Sequence, residues 1–236
     1  KITLMSESLT SSEKSVKFIN EFDFTSEKNK IKLTLFSSYI LNYVFERPIG
    51  IYGTIRGPMP YFIIDQNDFL FVGSDLTVKK EFTKKFNSSI TLNYLWSKNL
   101  ENNGNLINQP PVRIENNLIW KTNNFWKINF SEISLSPSYS FKQSQAPITI
   151  SPEDLINGVV NITPETNIFD FKDAPDGYFL LDFSWRLKLN DFSASINVNN
   201  VLNTSYRNYL NSMRYFADEI GRNFIINFSY TFKKKN

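Results

Sequence analysis

The chain of 236 residues contains neither cysteine nor histidine. Without cysteine it has no disulfide framework and no thiolate metal site. Without histidine it lacks the commonest general base and the commonest metal ligand at neutral pH. Any catalysis would have to depend on carboxylates or lysines alone. We therefore expect a protein that is not an enzyme, with no catalytic residues, no metal and no cofactor.

Concentrated positive charge and long apolar runs are also scarce. The formal net charge is +3, and the one dense basic run is the three lysines at positions 233–235. Nucleic-acid binding normally needs clustered Lys and Arg, so we expect no nucleic-acid partner. No apolar run approaches the roughly 18 residues of a membrane helix, but a strand of a membrane barrel needs only about 9–11 residues of alternating pattern.

Aromatic residues are abundant, with 22 Phe and 11 Tyr against 8 Gly, and this composition favours strands. The segment 223–232 shows the pattern most clearly, because apolar residues alternate with asparagine, serine and threonine, and Ile225 is the only apolar residue on the polar face. Its apolar positions are Phe224, Ile226, Phe228, Tyr230 and Phe232. A strand has a side-chain period of two, so this strand has one apolar face and one hydrated face.

The same alternation predicts an all-β chain of about ten antiparallel strands. Short turns are predicted near residues 26–29, 83–86, 122–125 and 189–191. Long loops are predicted near residues 47–60, 98–111, 143–176 and 204–220. Alternately short and long connections are typical of an antiparallel transmembrane β-barrel, with the short turns periplasmic and the long loops extracellular. This parity places the C-terminus on the periplasmic side.

Proline and glycine give two further expectations within this pattern. They are frequent in residues 47–60, which argues against continued strand pairing there. Pro137 lies on the apolar face of a strand and predicts a bulge or a local break. The long strand at 30–45 keeps its period of two throughout, so we expect one shared face for Leu33, Leu35, Tyr39, Leu41, Tyr43 and Phe45.

A soluble all-β binding module is the alternative to a membrane barrel. Its inward faces would favour Val, Ile and Leu packed against a second sheet. Here the apolar faces are rich in Phe, Tyr and Trp, notably toward strand ends, as in the aromatic girdles of outer-membrane barrels. The soluble module would dissolve without detergent, whereas the barrel would aggregate because its aromatic faces would be exposed to water.

Several segments resemble TonB-dependent outer-membrane receptors of Gram-negative bacteria. In that family a strand with N-x-x-N leads through an aromatic loop to Gly-Arg-Asn-Phe and a last strand that ends in Phe. The matching segments here are NVNNVLNTSYRNYL at 197–210, GRNF at 221–224, SYTF at 229–232, APDGYFLLDFSW at 174–185, FLFVGSDLTVKKEF at 69–82 and QPPVRIENNLIW at 109–120. One departure is the KKKN that follows Phe232, because the family commonly stops at this aromatic residue.

The resemblance implies a 22-stranded barrel with a plug domain in its lumen. Residues 1–236 would then be the C-terminal portion of the barrel domain, about its last ten strands, and the plug and the TonB box are not in this sequence. The implied function is active import of a scarce, bulky ligand: an iron chelate such as a siderophore, a corrinoid, a peptide or an oligosaccharide. The alternative function is a structural or binding subunit of a larger surface or secretion assembly.

The partners that the resemblance implies are outer-membrane lipid, TonB with its inner-membrane energising complex, the imported small-molecule, peptide or glycan ligand, and a surface lipoprotein. The localisation is the outer membrane. Arginine and tyrosine in the long loops suit an anionic chelate or a sugar, through charge-assisted hydrogen bonds and ring stacking. The candidate ligand-binding residues are Tyr52, Arg56, Tyr206, Arg207, Tyr209, Arg214 and Tyr215. The competing interpretation is that these residues pack the loops against each other or fix the plug.

Two further groups of charged residues support only less specific predictions of function. Asp170, Asp173 and Asp176 could bind a divalent cation, but acids in a proline-rich loop are more often only solvated. On the polar face of one strand, Asp182, Arg186 and Lys188 are expected to pair with plug residues rather than with cargo.

Overall fold

The computed structural model describes residues 2–5, 11–55, 57–101, 104–125, 128–158 and 169–232. Nearly all of its regular structure is β. The strands are β1 (Ile2–Met5), β2 (Lys14–Thr25), β3 (Asn29–Thr54), β4 (Gly57–Glu81), β5 (Phe86–Asn99), β6 (Arg113–Phe125), β7 (Ile128–Ser140), β8 (Ile148–Thr149), β9 (Phe169–Asp170), β10 (Tyr178–Leu189), β11 (Phe192–Asn199) and β12 (Asn223–Tyr230). A five-residue helix α1 (Pro152–Ile156) and a 3-10 turn (Ser212–Tyr215) complete the regular elements.

One ten-stranded sheet contains every strand except the short β8–β9 pair. Its order is β12-β11-β10-β7-β6-β5-β4-β3-β2, and all these neighbours are antiparallel. The prediction of an antiparallel sheet of about ten strands is confirmed. The exception is β1, which pairs with β4 in parallel. In the described part of the chain, no helix is long and apolar enough to cross a membrane.

The two faces of the sheet differ in chemistry, as the alternating pattern predicts. We call the face that carries Phe224, Ile226 and Phe228 of β12 the outer face, and the opposite face the inner face. Aromatic and aliphatic side chains remain exposed on the outer face, and Phe228 is 72% exposed. The inner face is rich in Ser, Asn, Thr and charged residues along β5, β7, β10 and β11, and the strand register keeps each set on one side.

The segment 47–60 is a strand hairpin and not a loop, so that prediction was wrong. β3 and β4 are 26 and 25 residues long, and they stay paired up to Thr54 and Gly57. The register shifts by one residue between Pro48 and Gly50, which leaves Ile49 out of the ladder as a bulge. Pro48, Pro58 and Pro60 keep their places opposite Phe62, Gly53 and Ile51, so the prolines lie within the paired strands. The hairpin therefore extends well past the loop-side ends of its neighbours.

A second bulge lies in β3 opposite Asp68 and reverses the faces of the strand. Leu41 and Asn42 oppose one residue of β4, Asn42 has φ 55°, and its N–H donates to Asp68 Oδ1 at 2.9 Å. Because an extra residue inverts the alternation, Tyr43 and Phe45 lie on the inner face, away from Tyr39. The expectation of one shared face along residues 30–45 was therefore wrong. Both rings pack edge-on against Phe69, with centroids 5.3 Å apart.

Pro137 produces a break in one ladder and no bulge. The register between β7 and β10 is continuous through the pair Leu181 and Pro137. On the other side of the strand, the ladder to β6 has no pairs at Asn116 and Asn117 and then resumes in the same register. This is the expected consequence of a residue without an N–H in a sheet interior.

On the long-loop side, residues from four separate parts of the chain share one apolar cluster. Its buried members are Phe62, Ile107, Phe169, Phe171 and Tyr215. Through Phe62, the β3–β4 hairpin thus packs with the β5–β6 loop, the β7–β10 connection and the β11–β12 loop. The long connections form a folded layer over the hairpin, and this layer positions the residues described below.

Gly73 tests how closely the inner face is packed. A Cβ atom at this position would lie 2.3 Å from Cζ of Phe36, whose ring covers the glycine from β3. We expect Gly73→Val to displace this ring and to lower the free energy of unfolding by about 1–3 kcal/mol, as overpacking does. Urea titration of the refolded barrel in lipid vesicles measures this change.

The matched control is Ser74→Val, because Ser74 is the next residue and lies on the outer face opposite Leu35. Its effect should stay within about 0.5 kcal/mol. Equal destabilisation by both substitutions would contradict the packing of Phe36 on Gly73.

Candidate functional site

The β11–β12 loop, residues 200–222, holds five of the seven predicted binding residues. They are Tyr206, Arg207, Tyr209, Arg214 and Tyr215. Tyr52 lies near the end of β3, where its backbone pairs with Met59. Arg56 lies outside the described residues. The loop thus brings most of the candidate residues into one region, although they do not all face the same space.

Arg214 forms a buried ion pair with Asp170, which joins the β11–β12 loop to the β7–β10 connection. The Nη2 of Arg214 lies 2.5 Å from Oδ2 of Asp170, and the two side chains are 2% and 1% exposed. The hydroxyl of Tyr215 donates to the other oxygen of Asp170 at 2.7 Å. Lys172 adds a bond from Nζ to the carbonyl of Tyr215 at 2.7 Å. Each oxygen of this carboxylate is therefore engaged inside the protein.

Two tyrosine rings contact the guanidinium group of Arg214. Its Cζ lies 4.6 Å from the ring centroid of Tyr209 and 4.5 Å from that of Tyr215, so the cation interacts with both rings. Burial, followed by the charge of Asp170, raises the pKa of both phenols well above their usual range, so both are neutral at physiological pH. In the described residues, Nε of Arg214 and the hydroxyl of Tyr209 are buried without a hydrogen-bond partner.

Arg207 is held by an acid of its own loop. Its Nε lies 2.6 Å from Oδ1 of Asp218, and Nη1 donates to the carbonyl of Arg214 at 2.9 Å. Ser205 Oγ donates to the second oxygen of Asp218 at 2.5 Å. The hydrogen bonds from Ser205 and then Arg207 lower the pKa of Asp218. Arg207 thus links two parts of the β11–β12 loop, and the carboxylate of Asp218 balances its positive charge.

The three acids considered for a cation act separately. Asp170 is engaged by Arg214 and Tyr215, Asp173 accepts a hydrogen bond from Thr149, and Asp176 pairs with Lys142 at 3.1 Å. In the described ranges, no group of three or more acidic residues could hold a metal ion.

Arg186 and Asp182 of the inner face have partners within this chain. Arg186 lies 2.5 Å from Oε1 of Glu132, and Lys121 lies 3.6 Å from the other oxygen of that carboxylate. Asp182 accepts the N–H of Asn200 at 2.7 Å. These partners within the chain do not exclude a plug residue as a further partner, so pairing of Asp182, Arg186 and Lys188 with a plug stays a prediction.

Asparagines in left-handed conformation build the turn that follows β11. Asn200 and Asn203 have φ 51° and 54°. The side-chain amide of Asn200 donates to the carbonyl of Thr204 at 2.8 Å and accepts the N–H of Thr204 at 2.9 Å. The Oδ1 atom of Asn203 accepts the N–H of Arg222 at 2.9 Å. A Cβ on Gly221 would lie 2.7 Å from that same oxygen. The N-x-x-N and Gly-Arg-Asn-Phe segments therefore hold the end of β11 against the start of β12.

Below this turn, on the inner face, lies a cleft of about 410 Å³ that we call the inner-face cleft. Its polar lining residues are Arg113, Asp182, Asn199, Asn200, Tyr206, Glu219 and Asn223. Tyr206 packs on Tyr178 with ring centroids 4.4 Å apart. Burial, followed by the charge of Glu219, raises the pKa of the Tyr206 phenol. Of the predicted binding residues, Tyr206 is the one that lines this cleft.

Sequence reasoning missed Glu219, Asn199 and Asn223 as cleft residues and assigned Asp182 to another role. A usable signal was present, because Asn199 and Asn223 lie on the polar face where two strands meet a long loop. The sequence prediction relied on the concentration of arginine and tyrosine in the long loops. Arg207 and Arg214 are held by acids of this chain, and ligand binding by the seven predicted residues stays a prediction.

The fold is that of the barrels of TonB-dependent receptors, as comparison with solved structures shows. The copper transporter OprC matches with a TM-score of 0.70 and 15% identity, over 93% of this chain and 31% of that chain. The FrpB iron transporter from Neisseria meningitidis matches with a TM-score of 0.65 and 13% identity, over 97% of this chain and 33% of that chain. The siderophore receptor PirA from Acinetobacter baumannii matches with a TM-score of 0.65 and 15% identity, over 93% of this chain and 32% of that chain.

The chain spans about a third of the length of these structures. No protein-family model and no curated protein matches it. The likeness therefore shows the fold, and it agrees with the resemblance in the sequence motifs.

Asp170→Asn tests whether the buried ion pair joins the two loops. The substitution leaves Arg214 buried beside a neutral group, and breaking such a pair typically costs about 3–5 kcal/mol. We expect local opening while the sheet remains paired, so the amides of residues 150, 171, 214 and 216 should lose hydrogen-exchange protection and those of β10 should keep it.

The matched control is Asp173→Asn, which removes an exposed acid from the same connection and should leave protection unchanged. The double variant Asp170→Leu with Arg214→Met should recover much of the protection, since it leaves no buried charge. Unchanged exchange in the Asp170→Asn variant would show that the apolar cluster alone holds these loops.

Proposed function

We propose that the chain is the C-terminal part of the barrel domain of a TonB-dependent transporter of the outer membrane. The single observation that carries this proposal is the match of 93–97% of the chain to the barrel fold of such receptors. The chemistry of the two faces supports it, because the outer face offers aromatic and aliphatic side chains to lipid and the inner face offers polar groups to a lumen.

The edges of the sheet support a larger barrel. β2 pairs only with β3 and β12 only with β11 in the described part of the chain, so one backbone edge of each is open. An open edge is not tolerated in lipid, where every backbone group needs an internal partner. In the proposal, further strands of the same receptor close the barrel at 22 strands. The plug and the TonB box implied by the resemblance also belong to that longer receptor.

In this proposal the protein moves its ligand without changing it chemically. The long loops and the inner face capture the ligand outside, and TonB with the inner-membrane complex supplies the energy for passage. The strand parity places the folded layer of long connections outside the cell and the short turns, with the C-terminus, in the periplasm.

The chain has no cysteine, which makes its placement in the membrane directly testable. Glu153 is an exposed residue of α1 on the long-loop side, and Lys84 is an exposed residue of the β4–β5 turn. We expect a membrane-impermeant maleimide to label Glu153→Cys in intact cells and Lys84→Cys only after the outer membrane is permeabilised. The unsubstituted receptor is the control, and the reverse pattern would invert the proposed orientation.

Transport itself is tested by the accumulation of four labelled probes: ferric citrate, cyanocobalamin, a tripeptide and maltohexaose. Wild-type cells are compared with a strain that lacks this receptor and a strain that lacks TonB. We expect at least one probe to accumulate in wild-type cells and to be lost equally in both deletion strains. Accumulation of every probe in all three strains would contradict transport and favour the structural or binding subunit.

A further inference from the structure

We propose that the inner-face cleft binds a neutral, polyhydroxylated ligand, of which an oligosaccharide is the chemical class, and that it does not bind an anionic chelate. This inference rests on the proposed function and names the substrate class of that transporter. It follows from the charges already paired within the protein and from the polar groups that remain available in the cleft.

Arginine is the side chain best suited to an anionic chelate, but the arginines on the long-loop side are largely engaged. Four of them pair with carboxylates of this chain at 2.5–3.0 Å. These pairs are Arg47 with Asp65, Arg113 with Glu115, Arg207 with Asp218 and Arg214 with Asp170. A guanidinium already held by a carboxylate offers an anion little, since capture would require breaking the existing pair.

The cleft instead offers carboxylate oxygens that remain available. The Oδ1 atom of Asp182 accepts a hydrogen bond from the backbone N–H of Asn200. The Oε1 atom of Glu219 accepts one from the side-chain amide of Asn211 at 2.6 Å. In the described residues, the second oxygen of each carboxylate has no hydrogen-bond partner. Two carboxylates at the wall disfavour an anion, whereas each can accept hydrogen bonds from the hydroxyl groups of a sugar.

Side-chain amides and a phenol complete the set of polar groups. Asn199 of β11 and Asn223 of β12 are directly opposite each other in the ladder, and both face the cleft. Each amide provides two donors and one acceptor, and the Tyr206 hydroxyl provides one of each. The cleft therefore presents hydrogen-bond donors and acceptors side by side. This suits a sugar, because each of its hydroxyl groups can both donate and accept a hydrogen bond. A multivalent metal cation fits less well, because these residues contain no group of three acids.

The cleft is fixed before any ligand arrives. Its carboxylates are each tied down through one oxygen, and Tyr206 is held against the ring of Tyr178. The lining residues lie at the long-loop ends of β6, β10, β11 and β12, where a ligand that passes the loops would first meet the barrel wall. Such preorganisation lowers the entropy cost of binding, so weak hydrogen bonds to hydroxyls can add up to measurable affinity.

The test uses the full-length receptor in detergent and measures binding by calorimetry. The probes are maltohexaose, xylohexaose and laminarihexaose as neutral saccharides, ferric citrate as an anionic chelate and Cu²⁺ as a cation. We expect at least one hexasaccharide to bind and ferric citrate not to bind. The double variant Asp182→Asn with Glu219→Gln should raise the Kd of that saccharide about tenfold or more, because hydrogen bonds to charged groups are stronger than neutral ones.

The matched control is Asp75→Asn with Glu81→Gln, which makes the same change in charge lower on the same wall and should leave the Kd within about twofold. The inference is overturned if none of the hexasaccharides binds, if ferric citrate or Cu²⁺ binds instead, or if the cleft variant binds like the parent.

The failure of this inference differs from the failure of the proposed function. TonB-dependent accumulation of ferric citrate without saccharide binding would leave the transporter intact and reject the saccharide. Saccharide binding at the cleft with no TonB-dependent accumulation of any probe would support the cleft and reject transport.

Discussion

The pairing of backbone groups between neighbouring strands is the constraint on which the rest of this structure depends. Once β2 to β7 and β10 to β12 are paired in register, each side chain is committed to one face, and a shift of one residue would exchange the two faces completely. The sequence satisfies this constraint through alternation of apolar and polar residues in β10, β11 and β12, with Leu180 and Ile225 as the apolar exceptions on the inner face. Where the alternation must change, as at Asn42, a bulge absorbs one residue and redirects the strand.

The bulge at Asn42 separates two regions with different packing. Below it, β3 presents aliphatic and aromatic residues to the outside. Above it, Tyr43 and Phe45 turn inward and join Phe69 and Leu106 in a buried group. The hairpin can therefore act as the support for the long loops, because its upper part carries a small core of its own. The ion pair of Arg214 with Asp170 then fixes two of those loops to each other.

Alternating patterns made the strand pairs of the C-terminal half predictable. The short connections at 26–28, 82–85 and 190–191 fall where turns were predicted. The turn predicted near 122–125 was wrong, because these residues belong to β6, where Thr122 and Asn123 pair with Ser131 and Phe130. The hairpin at 47–60 could not be predicted in this way, because glycine and proline usually end strand pairing, whereas here Pro48, Pro58 and Pro60 lie within the paired strands. The parallel strand β1 was equally hidden, since its partner lies above the end of β5, on a free edge that only the assembled sheet reveals.

The candidate site was harder to predict than the fold for an electrostatic reason. Sequence shows which charges exist, but not which of them neutralise each other. Arg207 and Arg214 have the residue type that anion binding needs, and both are already paired with acids that lie apart from them in the sequence. The available groups of the cleft come from residues such as Asp182 and Glu219, which are common polar residue types far apart in the sequence. A site built from common polar residues becomes visible only when the strands place them together.

The order of strands in the sheet also has a kinetic consequence. Apart from β1, each strand of the large sheet pairs with its neighbours in the chain, and the one interruption is the connection between β7 and β10. Joining two strands through a short turn closes a small loop, and the entropy cost of closure grows only slowly with loop length. The sheet can therefore grow by adding one strand at a time, with the β7–β10 step as the longest closure. Local pairing of this kind favours rapid assembly.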